Sequence, residues 1–267
     1  MSQLEAIFAA RAEDLEWLKR QRPFPVVRRE AEQSAPPRDF RAALRSCDDC
    51  PAIIAEIKRA SPSRGMLCVN LDVVAQARLY NIGGAVALSV LTEPRFFRGN
   101  LDDLAAVVRE VPLPVLRKDF IFDPYQLYEA RAAGADAVLL IASYLDEGLL
   151  HDLMTLTQAL GMTALVEIHT AEDLEKALRA GPPCLIGINN RNLHDFSISL
   201  DVTRWLRPLV PAGIGVIAES GIQTSQDIRY LRTVGVEAFL IGEALVRAAD
   251  PVALLRELRG ECDDHGG

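Results

Sequence analysis

The chain has 267 residues, of which 49% are hydrophobic and 25% charged, and its formal net charge is −8. That composition allows one large core under a soluble surface. No apolar run reaches the roughly 18 residues of a membrane span, no dense Lys/Arg run offers a nucleic-acid face, and the charged N-terminus has no signal core; neither membrane nor nucleic acid is expected as a partner, and a cytoplasmic location is expected.

The first fifty residues differ from the rest. Glu5 to Arg20 reads as a helix, with Leu4, Ile7, Phe8, Leu15 and Leu18 broadly on one side. Pro23 to Phe40 holds four prolines and many charges, and reads as an irregular or partly helical connector. Cys47 and Cys50 form a lone C-x-x-C, with no second pair or nearby histidine to complete a metal set. The five cysteines read as incidental thiols, and His151, His169, His194 and His265 lack metal-ligand spacing, so no metal is expected.

From Pro51 onward one pattern recurs: a short apolar run, a polar residue, a helical stretch, often a glycine, then the next run. The runs are Ile53–Ile57, Ala85–Leu91, Pro114–Leu116, Ala137–Ile141, Thr163–Val166, Cys184–Ile188, Gly215–Ala218 and Ala238–Ile241. Gly83, Gly134, Gly161, Gly181 and Gly235 suit helix C-termini before several of them. Tyr125–Ala133, Glu147–Leu160, Ala171–Ala180 and Ser225–Val234 carry apolar residues at helical spacing. Continuous apolar strands alternating with helices imply parallel strands buried on both faces. Eight such units fit a (β/α)8 TIM barrel with an N-terminal helical extension. The expected layout is an extension over residues 1–50 packing on a barrel of residues 51–260, and a tail of residues 261–267, all in a single domain. An open doubly wound sheet is the alternative, but the G-x-G-x-x-G that often accompanies it is absent.

The C-terminal ends of the strands, where barrel active sites form, are polar here. They present Glu56 and Lys58, Ser89, Lys118 and Asp119, Glu167, Asn189 with Asn190 and Arg191, Glu219 and Ser220, and Gly242 with Glu243. Unpaired charge is costly in a core, so acids and lysines converging on one mouth read as a site that handles protons and anions. Glu56 and Lys58 are two apart on a strand and point to the same side. Gly221 and Gly242 let backbone N–H groups approach a ligand where barrels commonly bind phosphate. The expected partner is a small, phosphorylated, anionic substrate. The loop Arg59–Leu67, with Ser61, Pro62, Ser63, Arg64 and Gly65, suits a lid over anionic groups.

The string Ala55-Glu56-Ile57-Lys58-Arg59-Ala60-Ser61-Pro62-Ser63 closely resembles the first-strand signature of indole-3-glycerol phosphate synthases. Similar matches follow in order at Ser89–Glu93, Leu116–Phe120, Leu165–Glu167, Ile186–Leu193, Ala218–Ile222 and Leu240–Glu243. The resemblance spans roughly Ala35 to Arg259; residues before it match less clearly. It implies conversion of 1-(2-carboxyphenylamino)-1-deoxyribulose 5-phosphate to indole-3-glycerol phosphate, carbon dioxide and water, in tryptophan biosynthesis. It also implies no cofactor, because the aniline nitrogen already makes the ring carbon a nucleophile.

By the same resemblance Lys118 is the general acid for ring closure, and Glu167 and Lys58 serve the dehydration with Glu56 tuning Lys58. Asn189 holds polar atoms of the substrate, with Ser220 and Glu219 beside it. Lys58, Ser61, Arg191, Gly221, Gly242 and Glu243 match phosphate-end positions, Glu243 through its backbone N–H alone. Phe97, Phe120, Leu139 and Leu193 match the pocket for the aromatic ring. Two other readings stand beside this one: a Schiff-base aldolase using Lys118 as nucleophile, and a non-catalytic barrel that only binds a phosphate ligand. A monomer is expected.

Overall fold

The computed structural model describes residues 3–46, 50–192 and 196–260. Eight parallel strands close into a barrel: β1 (Ala52–Ile57), β2 (Ala87–Leu91), β3 (Val115–Lys118), β4 (Ala137–Ile141), β5 (Thr163–Ile168), β6 (Leu185–Asn189), β7 (Gly215–Glu219) and β8 (Ala238–Ile241). Each strand pairs with the next in sequence, and β8 returns to β1. Both faces of every strand are covered, which is why the sequence shows apolar runs rather than alternation. The two faces still differ. Ile54, Ala87, Leu116, Leu139, Leu165, Leu185, Ile217 and Leu240 fill the barrel interior. Ile53, Leu88, Val115, Val138, Val166, Ile186, Val216 and Phe239 belong to the separate layer beneath the surrounding helices.

Strand β3 runs two residues past its apolar stretch and takes in Arg117 and Lys118, while β5 runs on to Ile168 and takes in Glu167. Ladder hydrogen bonds carry these charged residues into the sheet, because Leu91 pairs with Lys118 and Ile141 with Glu167. The helices begin where the sequence supplies an acceptor for orphan N–H groups: Asp72, Asn100, Asp123, Asp146, Thr170, Thr224 and Asp250 each cap one with a side-chain oxygen.

The N-terminal segment contains α1 (Gln3–Gln21), α2 (Phe24–Gln33) and α3 (Phe40–Leu44). The connector is thus more ordered than its prolines suggest. Pro23 is the N-cap of α2 and Pro25 falls in its first turn, where no backbone N–H is needed. Val27 of α2 packs with Leu15 of α1 and with Tyr125 of the helix Pro124–Ala132. At the N-terminal end of the barrel, Phe40 and Leu44 of α3 join the interior cluster. Cys50 is disulfide-bonded, so the reading of incidental thiols does not hold for it; Cys68 and Cys184 are free.

Candidate active site

A cavity of about 180 Å³ opens at the C-terminal ends of the strands. The interior positions of β1, β3, β5 and β7 change there from aliphatic to charged, and Glu56, Lys118, Glu167 and Glu219 face one another across the mouth. The Lys118 ammonium lies 2.9 Å from Glu219 Oε2 and 3.3 Å from Glu167 Oε2. Lys58, just beyond β1, lies 2.6 Å from Glu56 Oε1.

The three carboxylates are buried and the two lysines largely so, and burial penalises each charge. It would lower the Lys118 pKa, but the carboxylates of Glu219, Glu167 and Glu56 outweigh it and hold the ammonium above its ordinary value. Burial alone would raise Glu56 and Glu167. Instead Lys58 and Lys118 pull Glu56 down, and Lys118, His169 and Asn189 pull Glu167 down. Glu219 bears the cost. Burial pushes it up to about 8, with Lys118 opposing and Glu167 and Glu56 adding to the rise. Among the described residues, its Oε1 has no hydrogen-bond partner. Three carboxylates thus share two lysines, and Glu219 is the acid driven toward its protonated form.

Two glycines make this crowding possible. A Cβ at Gly187 on β6 would run into the Glu219 carboxylate, and one at Gly242 would run into Glu56. After β7 the chain turns sharply through Ser220 and Gly221, with φ of 65° and 81°. A non-glycine residue in that region is strained; the Asn190 side chain braces the turn by donating to the Ser220 carbonyl at 3.1 Å.

One part of the cavity is cationic. Lys58, Ser61, Arg191, Gly221 and Gly242 line it together. Arg191 is half-buried, and burial lowers its pKa. It donates to the Ser63 hydroxyl at 3.1 Å, which ties it to the loop after β1. That loop folds as a small hairpin of Ala60–Ser61 against Gly65–Met66. The Glu243 carboxylate is engaged by Arg64 at 3.3 Å. The other part is apolar: Phe97 and Phe120 stand 5.9 Å apart, with Leu139 beside them in the lining. The Glu93 carboxylate accepts the backbone N–H groups of Arg95, Phe96 and Phe97 and so shapes the loop carrying Phe97.

Every residue to which the resemblance gives a role lines this cavity, except Leu193, which lies outside the described residues; Ser89 and Asn190, also read at the strand ends, are buried and do not line it. Sequence reasoning missed Leu4 and Ile7 of α1, which close the apolar end, and Phe8 behind them, whose ring meets Phe120 edge-on at 5.3 Å. Their helical spacing was visible; the surface they would cover was not.

Fold and mouth together define the class: a (β/α)8 barrel whose C-terminal face holds a mixed acid–base cluster between a cationic and an aromatic wall. The comparisons with known proteins narrow it. A family model for indole-3-glycerol phosphate synthase matches residues 4–258. The indole-3-glycerol phosphate synthase of Roseiflexus castenholzii is 46% identical over 265 residues, covering 96% of this chain and 98% of its own. That of Polaromonas naphthalenivorans is 46% identical over 260 residues, covering 97% and 98%. The chain belongs to the indole-3-glycerol phosphate synthase family. Among solved structures, 3-hexulose-6-phosphate synthase from Salmonella typhimurium superposes with a TM-score of 0.64 at 15% identity, over 80% of this chain and all of that one (100%). Thiamine phosphate pyrophosphorylase from Pyrococcus furiosus gives 0.60 at 18%, over 84% and 97%. At such identities the likeness is one of fold.

Proposed function

We propose that the chain is a carbon–carbon carboxy-lyase that converts 1-(2-carboxyphenylamino)-1-deoxy-D-ribulose 5-phosphate to indole-3-glycerol phosphate, carbon dioxide and water, the cyclisation step of tryptophan biosynthesis. The observation that carries the reading is Lys118, a buried ammonium between Glu219 and Glu167, facing a cavity with one cationic and one aromatic wall. The phosphate lies toward Lys58, Ser61, Arg191 and the glycine turns at Gly221 and Gly242. The carboxyphenyl ring lies against Phe97, Phe120 and Leu139. This placement folds the substrate so that the ring carbon bearing the carboxylate meets the sugar ketone.

As that bond forms, the Lys118 ammonium donates its proton to the ketone oxygen, where charge develops. Its raised pKa keeps it protonated beforehand. The same carboxylates argue against Lys118 as a Schiff-base nucleophile, a role that needs a neutral amine. Loss of carbon dioxide restores the aromatic ring. Dehydration then needs one acid for the leaving hydroxyl and one base for the departing proton; Lys58 and Glu167 serve it, with Glu56 holding Lys58 at 2.6 Å. Asn189 and Ser220 position the substrate's polar atoms between them. Glu219, read from sequence as a substrate contact, acts on this geometry chiefly as the partner that holds Lys118.

The test is indole fluorescence on adding the carboxyphenylamino-deoxyribulose phosphate to purified protein, with no metal or cofactor supplied. Turnover is expected, and Lys118→Ala should lower kcat by at least ~10²-fold, as for loss of a positioned general acid. A folded wild type without turnover would sink the reading.

A further inference from the structure

His169 stands two residues beyond Glu167, just past the end of β5. It is not one of the residues lining the cavity, and only 11% of its side chain is exposed. Its Nε2 lies 3.3 Å from Glu167 Oε1, and its Nδ1 lies 3.9 Å from Asp173 Oδ2. Asp173 belongs to the helix Ala171–Ala180, and that same Oδ2 already accepts the backbone N–H groups of His169 and Thr170. The turn from β5 into that helix is therefore pinned, with an imidazole lodged between two carboxylates. Among the described residues, neither ring nitrogen has a hydrogen-bond partner in this arrangement. Leaving two buried polar atoms unpaired costs more than an apolar side chain of similar size would, so packing alone does not account for a histidine here.

The two oxygens of Glu167 are divided between two neighbours: Oε2 faces Lys118 at 3.3 Å, inside the mouth, and Oε1 faces His169, outside it. We propose that His169 is a positioning residue for Glu167: a small turn of the ring lets Nε2–H donate to Oε1, which fixes the carboxylate plane so that Oε2 is presented to Lys118 and the substrate. The inference rests on Glu167 serving in the reaction proposed above. The charges around the pair are Asp173 from the helix after β5, Lys118 from β3, Glu219 from β7 and Glu56 from β1, with the Asn189 amide from β6. Lys118 and Asn189 support the ionised form of Glu167 from inside the mouth, and His169 supports it from outside. Removing the His169 donor therefore disfavours the carboxylate, and any step that needs Glu167 ionised weakens first at low pH.

The experiment is kcat against pH, at saturating substrate, for His169→Gln, His169→Asn and His169→Leu. A glutamine amide nitrogen reaches the Nε2 position, whereas an asparagine nitrogen reaches only the Nδ1 position. The Asn and Leu variants should move the acid limb of kcat up by about half a pH unit or more and lower kcat at the optimum by about three- to tenfold. Their KM should stay within about twofold, because His169 does not line the cavity. The Gln variant should stay within about twofold of wild-type kcat. An unmoved limb in the Asn variant, or equal losses in Asn and Gln accompanied by matched rises in KM, would overturn the inference; if the Leu variant does not fold, the Asn and Gln pair carries the same test. Glu167→Gln separates the two claims. Wild-type turnover in that variant overturns both, whereas strong dependence on Glu167 with an unmoved limb overturns only the role of His169.

Discussion

Two buried charge clusters lie back to back on β3, and they are built on opposite rules. Lys118 points into the mouth. Arg117 points outward, and beyond the strand end Asp119 joins it in a closed network. Arg117 donates to Asp119 at 2.9 Å, to Glu129 at 2.8 Å and to the Gln126 carbonyl at 2.8 Å. Arg11 of α1 grips both oxygens of Asp119, at 3.0 and 2.9 Å, and Thr92 donates to it at 2.6 Å. Burial would raise Asp119, but Arg11 and Arg117 hold it well below the usual carboxylate range. Each charge there meets an opposite charge. In the mouth, three carboxylates compete for two lysines, one oxygen of Glu219 is unpartnered, and Glu219 is pushed up to about 8. The comparison teaches that burial does not by itself mark a site. A satisfied network holds a fold together; a cluster left unbalanced is poised to move protons.

The largest expected effect tests the satisfied side. Asp119→Ala leaves Arg11 and Arg117 buried without their shared partner and should cost about 3–5 kcal/mol in urea unfolding. A loss below about 1 kcal/mol would mean that solvent already screens the network as at a surface pair. Lys118→Ala is the counterpart, with its main effect on kcat; its loss of at least ~10²-fold corresponds to about 2.7 kcal/mol of transition-state stabilisation. A variant that lost stability on the scale of Asp119→Ala would merge the two clusters into one structural unit. Next comes Arg191→Ala, which should raise KM about tenfold while changing kcat much less, if Arg191 binds the substrate's anionic end. An unchanged KM would detach the cationic wall from the site.

The last test is the sharpest for the comparison. The folded-state pKa of Glu219 is raised from 4.5 to about 8, so between these values the native state binds more protons than the unfolded chain. Its contribution to stability is intact below about pH 4.5, falls as pH rises toward about 8, and is level above. Glu219→Gln should flatten that fall when unfolding free energy is followed across the window. A variant with the wild-type slope would show that Glu219 is already ionised and that the mouth is as balanced as the Arg117 network.

Much of this was legible in the linear chain. Eight apolar runs separated by helical spacing and N-cap residues announce the barrel, because each unit obeys local rules of periodicity and capping. Glu56, Lys58, Lys118 and Glu167 stood out because a strand end rarely carries charge without a reason. Other features were not legible. Arg11 and Asp119 are 108 residues apart, and Arg11 is one charged residue among many on α1. The helix over Phe24–Gln33 was obscured by prolines that turn out to stand where a helix tolerates them. His169 looked like an ordinary histidine, since only the fold reveals that two carboxylates enclose it.

By itself, the sequence determined the strand and helix order and the residue types gathered at the strand ends, and it favoured a closed barrel over an open sheet. Local propensity and hydrophobic period carry that information, and both act over a few residues. Tertiary structure alone decided which charges share a dielectric pocket. Whether a buried carboxylate is held ionised, like Asp119, or driven toward its protonated form, like Glu219, depends on distances of a few ångströms between strands far apart in the chain. Coulomb energy in a buried mouth is steep in that distance, and no local pattern in the sequence encodes it.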